Sequence, residues 1–323
     1  MTPSTKHGAP VRFESVSVQY PQSDRLAVQN ISLDVPAGEF VVLLGPSGCG
    51  KSTLLRTVNR LIEPQSGRIY VDGTDNATVD ATALRRSIGY VIQAVGLFSH
   101  LTIARNIAVV PTLLKWDEHR IAARVDELLR LVQLEPALYR DRYPRELSGG
   151  EQQRAGVARA IAAEPRVLLM DEPFGAVDAI VRATLQDETR RIARVLETTI
   201  LFVTHDVDEA LRLADRIVVM RTGEVVQYGT PLEILTAPAS PFVAQLLDTH
   251  DIVRRLGLLR VCDAMRNAPA PAGAPSITVD DTLREALNFF LEGASALNVV
   301  RENAAPGSLR FEDVRALIGK QSR

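Results

Sequence analysis

The sequence predicts an α/β fold around a mostly parallel sheet, with an inserted helical lobe and a small αβ appendage. Three short apolar runs, at residues 40–44, 167–170 and 199–204, have the length and composition of buried strands. The first run leads into a glycine-rich loop, and residues 54–61 beyond it keep apolar side chains at helical spacing. Buried strands that alternate with helical segments are typical of a parallel sheet.

The composition is that of a globular protein. The 323 residues suffice for one large domain and a smaller one, and 46% of them are hydrophobic and 24% charged. The formal net charge of −2 gives no sign of a nucleic-acid surface, so no nucleic-acid partner is expected. No apolar run approaches the roughly 18 residues that span a bilayer. Any membrane role is therefore expected to come through partner subunits.

Two further features favour a cytosolic location. Residues 1–10 are polar and lack the apolar core of a signal peptide. Cys49 and Cys262 lie far apart and form neither a metal-binding spacing nor a disulfide framework.

The loop after the first apolar run fits the phosphate-binding pattern G-x-x-x-x-G-K-[ST]. Its residues are Gly45, Pro46, Ser47, Gly48, Cys49, Gly50, Lys51, Ser52 and Thr53. Loop N–H groups, the helix dipole and the charge of Lys51 together form an anion cradle. Ser52 can offer its hydroxyl to a Mg²⁺ ion held by the same phosphates. An ordinary glycine turn is the alternative, but the strand before and the helix after favour a nucleoside triphosphate site.

The second apolar run ends in Asp171 and Glu172, followed by Pro173. A strand that ends in aspartate places that carboxylate at the edge of the sheet beside the phosphate loop, where it can hold Mg²⁺ through water. Glu172 would then face the γ-phosphate and orient or deprotonate the attacking water. Such a strand end is as often structural when it occurs alone, and the phosphate loop in the same chain favours the functional interpretation.

A second candidate anion site lies at Ser148, Gly149 and Gly150, which precede an unbroken helical stretch over residues 155–161. One triphosphate cannot occupy both sites in a monomer if they lie on separate lobes. A head-to-tail homodimer, with each nucleotide between the phosphate loop of one copy and Ser148-Gly149-Gly150 of the other, would use both. The alternative is an N-capped helix after a flexible turn.

These motifs together resemble the ATP-binding subunit of ABC transporters, and the resemblance covers about residues 11–245. It implies a P-loop NTPase fold with a RecA-like core and an ABC helical subdomain at about residues 94–160. It also implies that the nucleotide is ATP with Mg²⁺ and that the chain is an ATP hydrolase. Hydrolysis would open a dimer that ATP closes.

The resemblance assigns roles to four further residues. Tyr20 matches the aromatic residue that stacks on adenine, although an edge-strand tyrosine is the alternative. Gln93 matches the glutamine that touches Mg²⁺ and the attacking water. Asp178 matches the aspartate that signals between the two sites, with Val177 in place of the usual leucine. His205 matches the histidine that contacts the γ-phosphate.

Residues 95–103 and 106–108 resemble an importer pattern whose surface groove receives a helix of the membrane subunit. Ser99 replaces the usual proline, and Arg105 replaces the usual acidic residue. The resemblance implies integral membrane permease subunits as partners and, indirectly, a substrate-binding protein. It implies a peripheral location on the cytoplasmic face of the inner (plasma) membrane.

The C-terminal part of the sequence restricts the class of substrate that we expect. Residues 254–265 resemble the connector of importers for glycine betaine, choline and similar solutes, and an Ala/Pro/Gly stretch over residues 267–275 marks a boundary. Beyond it, a strand and a capped helix at 277–287, a second strand at 297–300 and a final helix at 311–318 resemble a single CBS module.

The ligand motif of this module is degenerate. Residues 307–313 match the ribose-binding pattern of CBS modules except that Arg310 stands at the hydroxyl position. Asp313 is as well explained by a surface or capping role as by a ligand role. The sequence therefore favours dimer contact or ionic-strength sensing over nucleotide binding, and a module this small is expected to pair with a copy or dock on the core.

The predicted organisation is an ABC ATPase domain at residues 1–245, a connector and linker at 246–275, and a CBS-like module at 276–323. The predicted function is ATP hydrolysis that powers the import of a quaternary amine such as glycine betaine, choline or carnitine. One alternative is an importer for methionine, sulfonate or another small solute. Another is a soluble ABC ATPase that acts on a ribosome or nucleic acid, which the near-neutral charge and the single ATPase core disfavour.

Overall fold

The computed structural model describes residues 8–21, 23–93, 96–175, 179–249, 251–301 and 307–321, without the side chains of 179–181 and 318–321. The chain divides into two compact units, Met1–Tyr228 and Gly229–Arg323. The domain boundaries expected after residues 245 and 275 remain predictions.

Ten strands belong to the first unit, the last of which ends at its boundary. They are Val11–Gln19 (β1), Leu26–Val35 (β2), Phe40–Leu44 (β3), Ser66–Val71 (β4), Thr74–Asp75 (β5), Ile88–Val91 (β6), Val167–Asp171 (β7), Thr199–Thr204 (β8), Arg216–Arg221 (β9) and Glu224–Gly229 (β10). One sheet has the order β2-β1-β4-β5, and its paired strands are antiparallel. The other has the order β10-β9-β3-β8-β7-β6.

The second sheet positions the candidate site. Strand β3 pairs in parallel with β8 and β9, and β7 pairs in parallel with β6 and β8. Every residue of β3, β7 and β8 is buried, which explains their continuous apolar sequences, because strands covered on both faces lose the usual alternation. The carboxyl ends of these strands therefore meet at one edge, next to the loop that follows β3.

Among the described residues of the first unit, eight segments are α-helical. They are Lys51–Val58 (α1), Ala81–Ser87 (α2), Ile103–Leu113 (α3), Glu118–Leu131 (α4), Pro136–Tyr139 (α5), Gly149–Ile161 (α6), Ala179–Leu196 (α7) and Val207–Leu213 (α8). Polar residues cap several N-termini: Asp117 accepts hydrogen bonds from the backbone of α4, and Ser148 accepts one from that of α6. Such caps satisfy N–H groups that have no partner within the helix.

The second unit contains six helices and a three-stranded sheet. The helices are Pro231–Thr236 (α9), Pro241–Leu247 (α10), Ile252–Leu258 (α11), Val261–Ala264 (α12), Leu283–Leu291 (α13) and Phe311–Gln321 (α14); the strands are Ser276–Thr278 (β11), Leu297–Val300 (β12) and Gly307–Leu309 (β13). Strand β12 lies in the middle, parallel to β11 and antiparallel to β13. A separate apolar cluster that includes Leu256, Leu283 and Leu297 forms its core.

The strands expected from the three apolar runs are confirmed as β3, β7 and β8. The helix expected at 54–61 is confirmed as α1, which ends earlier, at Val58, and the stretch expected at 155–161 lies within α6. The strand, capped helix, strand and final helix of the C-terminal part are also confirmed. Strand β13 was not expected. Among the described residues, no helix is long and apolar enough to cross a membrane.

Candidate functional site

The glycine loop joins the end of β3 to the start of α1. Gly48 and Gly50 have φ angles of 78° and 104°, values that glycine tolerates and side-chain-bearing residues rarely adopt. A Cβ atom added at Gly50 would lie 2.2 Å from the carbonyl oxygen of Ala27. Glycine at this position is therefore required both by the backbone conformation and by the close approach of β2.

Lys51 begins α1 and is almost fully buried. Its Nζ donates hydrogen bonds to the carbonyl oxygens of Gly45 at 2.7 Å and Pro46 at 3.0 Å. These bonds fold the side chain back across the loop, so its positive charge lies inside the cradle. Burial raises the pKa of the neighbouring Cys49 thiol, which keeps that side chain neutral.

The turn after β9 supports the glycine loop through hydrogen bonds, and no sequence motif predicted this contact. The N–H of Gly223 donates to the carbonyl oxygen of Cys49 at 2.9 Å. The N–H and side-chain amide of Gln29 donate in turn to the carbonyl oxygens of Gly223 and Thr222, at 2.8 and 2.6 Å. The cradle is thus held by two segments that are distant in sequence.

Asp171 ends β7 beside the start of α1, and its side chain is 4% exposed. The hydroxyl of Ser52 donates to its Oδ1 at 2.6 Å. Its Oδ2 accepts from Nη2 of Arg56 at 2.9 Å and from the hydroxyl of Tyr90 at 3.4 Å. Two of the three predicted metal-site residues, Ser52 and Asp171, are therefore in contact. Sequence reasoning missed Arg56, although it lies one helical turn after Ser52, and missed Tyr90.

Glu172 follows Asp171, and its side chain lies close to the other two predicted catalytic residues, Gln93 and His205. Its Oε2 lies 3.4 Å from Nε2 of Gln93 and 3.3 Å from Nδ1 of His205. Gln93 lies two residues beyond the end of β6, and His205 directly follows β8. The φ angle of Glu172 is 44°, a conformation uncommon for a residue with a side chain. Its N–H still donates to the carbonyl oxygen of Val203 at 3.0 Å, which fixes the strained turn.

A cleft of about 730 Å³ opens above the glycine loop. Its lining includes predicted binding residues Tyr20, Ser47, Gly48, Gly50, Lys51, Ser52 and Thr53, together with Glu172. Tyr20 directly follows β1, is 43% exposed, and its hydroxyl lies 3.0 Å from Oγ1 of Thr53. The backbone segment 23–27 also lines the cleft, and no motif pointed to it.

Ser148 caps α6 and is exposed, as is Gly149, while Gly150 is half-buried. Glu151 completes a capping box: its Oε2 accepts from the N–H of Ser148 at 2.7 Å and from its hydroxyl at 2.8 Å. The hydroxyl of Tyr139 donates to Oε1 of Glu151 at 2.6 Å. Hydrogen bonds from Tyr139 and then from the Ser148 backbone lower the pKa of the Glu151 carboxyl. Both the predicted second anion site and the capped helix proposed as its alternative fit this geometry.

The donor atoms at the loop suit a magnesium ion. Magnesium prefers oxygen ligands and usually binds through one or two carboxylates together with substrate phosphates. The Ser52 hydroxyl and the Asp171 carboxylate supply such oxygens, whereas Gln93 points its amide nitrogen toward Glu172. Within the described ranges, no group of three or more histidine, cysteine, aspartate or glutamate side chains could hold a metal ion.

Asp178, the predicted signalling residue, lies outside the described residues. In the second unit, Asp313 is engaged with protein groups. Its Oδ1 accepts from Nε of Arg266 at 2.7 Å, and its Oδ2 accepts from the N–H of Arg310 at 3.1 Å. These contacts fit the capping role weighed for Asp313 rather than the ligand role.

The chain is similar to known proteins. A family model described as ABC transporter matches residues 28–175. The glycine betaine/carnitine/choline transport ATP-binding protein OpuCA of Bacillus subtilis is 48% identical over 305 residues, which cover 94% of this chain and 78% of the relative. The glycine betaine uptake system ATP-binding protein YehX of Escherichia coli is 50% identical over 291 residues, 89% of this chain and 94% of the relative.

The chain is also similar in fold to a solved structure. The ATP-binding cassette MJ0796, solved as a dimer in a post-hydrolysis state with ADP and Pi, is 31% identical with a TM-score of 0.61. The match covers 68% of this chain and 98% of that one.

Proposed function

The chain belongs to the ATP-binding proteins of ABC transporters, and from that premise we propose that it energises the import of a quaternary-amine osmoprotectant. It binds and hydrolyses ATP and has the P-loop NTPase fold of its family. The substrates named for its relatives, glycine betaine, carnitine and choline, share a quaternary ammonium group. That shared chemistry supports the substrate class.

One observation carries the catalytic proposal: Oε2 of Glu172 lies within 3.4 Å of both Gln93 and His205, at the edge of the sheet beside the phosphate loop. In the proposed role, Glu172 orients or deprotonates the attacking water. Gln93 and His205 hold its carboxylate, and His205 also contacts the γ-phosphate. Catalysis would then consist mainly of positioning and electrostatic stabilisation, as in other phosphoryl transfers.

The cleft supports the proposed binding residues. Lys51 and the loop amides from Gly45 to Thr53 would neutralise the β- and γ-phosphates, and Tyr20 would stack on adenine at the exposed end of the cleft. The bonds from Lys51 Nζ to the carbonyl oxygens of the loop already aim its charge at the cradle.

Magnesium is the proposed metal, and it would neutralise phosphate charge when bound. Ser52 would turn its hydroxyl oxygen toward the ion, and Asp171 would hold it through water. Gln93 is proposed to approach the same ion from the end of β6. Their oxygen donors fit a hard cation.

A head-to-tail homodimer is the proposed active assembly. The start of α6 supports it, because Ser148 and Gly149 are exposed there and the backbone N–H groups at a helix start can bind an anion. The similar cassette MJ0796 is itself described as dimeric. Asp178 is proposed to signal between the two sites of that dimer.

Permease subunits are the proposed membrane partners, on the cytoplasmic face, with a substrate-binding protein acting through them. The loop before α3 supports this role, since Phe98 is 44% exposed while its backbone is held in place. Asn106 is fully buried and bonds the N–H of Phe98 at 2.7 Å and the carbonyl oxygens of Phe98, Leu101 and Thr102. A fixed loop with an exposed aromatic side chain suits docking of a helix.

The C-terminal part is proposed to be a degenerate CBS-like module, residues 276–323, joined to the ATPase domain (1–245) by the connector 246–275. Its αβ order supports the assignment, and the engagement of Asp313 by Arg266 favours dimer contact or ionic-strength sensing over nucleotide binding.

The direct test is uptake of labelled glycine betaine by cells that carry the native chain or Glu172→Gln, at low and high external salt. Carnitine, choline and methionine serve as unlabelled competitors. We expect uptake that depends on Glu172, rises with salt and is inhibited by carnitine or choline. No uptake of betaine together with uptake of labelled methionine would replace the substrate class, and full betaine uptake in Glu172→Gln would refute the catalytic role.

A further inference from the structure

The two oxygens of Asp171 have different partners. Oδ1 accepts from Ser52 at 2.6 Å, whereas Oδ2 accepts from Arg56 at 2.9 Å and Tyr90 at 3.4 Å. The short distance and the charge make the Arg56 bond the stronger of the two at Oδ2. The carboxylate is almost fully buried, so these groups, and little water, determine its orientation.

Two elements that pack beside the end of β7 supply these partners. Ser52 and Arg56 lie four residues apart in α1, so they project from one face of the helix toward the end of β7. Tyr90 lies on β6, the neighbouring strand, where it pairs with Leu169 of β7. A helix thus fixes both oxygens of the carboxylate, and the adjacent strand supports one of them.

A bound cation would change only half of this arrangement. The Ser52 oxygen would offer a lone pair to the ion while its O–H could still donate to Oδ1, and the remaining lone pairs of Oδ1 would be available to the water shell of the ion. Oδ2 keeps Arg56 and Tyr90. A carboxylate without these two partners could rotate about its Cβ–Cγ bond and present either oxygen.

We propose that Arg56 and Tyr90 are positioning residues that hold Oδ2 of Asp171 so that Oδ1 faces the nucleotide-bound divalent cation. This inference rests on the ATP and magnesium site proposed above. Groups that orient a metal ligand without touching the metal typically change metal affinity by about 10–100-fold when they are removed.

The charge of Arg56 acts against its orienting role, because a cation near Asp171 repels the metal. The Arg56 side chain is 44% exposed, so water screens this repulsion, whereas the hydrogen bond is made to a buried oxygen. The orienting effect therefore exceeds the repulsion. Arg56→Met should weaken metal binding, and the opposite sign would identify Arg56 as a competing charge.

The experiment measures Mn²⁺ binding to the full chain with saturating ADP, using the electron paramagnetic resonance signal of free Mn²⁺, so that no turnover is needed. Arg56→Met should raise the Mn²⁺ dissociation constant about 10–100-fold. Arg56→Lys should give a smaller increase because it keeps one donor, and Tyr90→Phe a smaller one still. The affinity for ADP measured without metal should stay unchanged, whereas a general structural defect would lower it.

Arg12→Met is the matched control. Arg12 also contacts a carboxylate, that of Glu14, at 2.9 Å, but on β1 and away from the glycine loop. Arg12→Met should leave the Mn²⁺ dissociation constant unchanged.

Unchanged or tighter Mn²⁺ binding in Arg56→Met, with ADP affinity intact, would overturn the inference. If Arg56→Met fails to fold, unchanged Mn²⁺ binding in Tyr90→Phe would overturn it. Failure of the wild-type chain to bind ADP would instead refute the proposed nucleotide site.

Discussion

A single oxygen of Glu172 contacts an amide and an imidazole from two different strand ends, and the residue holds a positive φ angle to do so. Backbone strain of this kind costs on the order of 1–3 kcal/mol and persists where the surrounding structure enforces it. Buried β7 and the bond from the Glu172 N–H to Val203 provide that enforcement. The strain and the convergence of polar groups are both consistent with a catalytic position.

Replacement of Glu172 by glutamine should separate binding from hydrolysis. Glutamine keeps the shape and can still contact His205, but it cannot take a proton from water. We expect kcat to fall about 10²–10⁴-fold while ATP affinity changes little. Steady-state hydrolysis and equilibrium binding of a fluorescent ATP analogue would check this, and a parallel loss of both would contradict it.

Tyr139 should stabilise the chain in a pH-dependent way through Glu151. Because its hydrogen bond lowers the pKa of Glu151 in the folded state, the stabilisation is present above the unfolded value of about 4.3 and is lost as the pH falls below it. Tyr139→Phe should therefore lower the stability by about 1 kcal/mol at pH 7 and by less near pH 4. Thermal unfolding midpoints at both pH values measure the difference. An equal difference at both would contradict the role of Glu151.

At the scale of the element, two capping boxes have nearly the same geometry. Ser148 with Glu151 at the start of α6 and Thr282 with Glu285 at the start of α13 both form capping boxes. Their local geometry is nearly the same: each hydroxyl donates to the glutamate, at 2.8 and 2.9 Å. Only Ser148 lies in a motif that resembles one of the family. The capping box alone therefore does not distinguish an ordinary helix start from an anion site.

Matched substitutions at these caps should separate stability from function. Ser148→Ala and Thr282→Ala should each lower stability by about 1 kcal/mol, because each leaves helix N–H groups without an acceptor. Only Ser148→Ala should also weaken dimerisation driven by ATP. Thermal unfolding and light scattering with ATP in a Glu172→Gln background would test this; equal dimerisation in both variants would argue that Ser148 serves only as a cap.

At the scale of the whole molecule, the two units have separate cores. The second core joins Leu256, Leu259 and Val261 of the connector to residues of the sheet and of α13 and α14. A deletion that starts at residue 268, inside the predicted linker, would expose these connector side chains. A deletion that begins before these connector residues removes them and so avoids that exposure.

Deletion of residues 249–323 should therefore leave ATP hydrolysis intact and abolish the response of uptake to osmolarity. The first unit keeps its own sheets and the whole candidate cleft. Hydrolysis by the purified protein and betaine uptake at two salt concentrations would check both parts. Uptake that still rises with salt would contradict a sensory role for the C-terminal unit.

The sequence by itself determined the parts of this protein that local patterns encode. Continuous apolar runs gave the buried strands, and glycine spacing gave the cradle around Lys51. The carboxylates at the end of the second apolar run pointed to Asp171 and Glu172, and the family resemblance pointed to His205; their roles remain predictions. The strand and loop predictions were confirmed because strand burial and loop geometry depend on residues that are neighbours in the chain.

Only the tertiary structure decided which side chains meet across the chain. Arg56 and Tyr90 reach Asp171 from positions 115 and 81 residues earlier, and Arg266 reaches Asp313 from 47 residues away. Arginine and tyrosine are common on helices and strands, so their types did not reveal these contacts. Strand pairing and helix packing set such distances, and no local period records them.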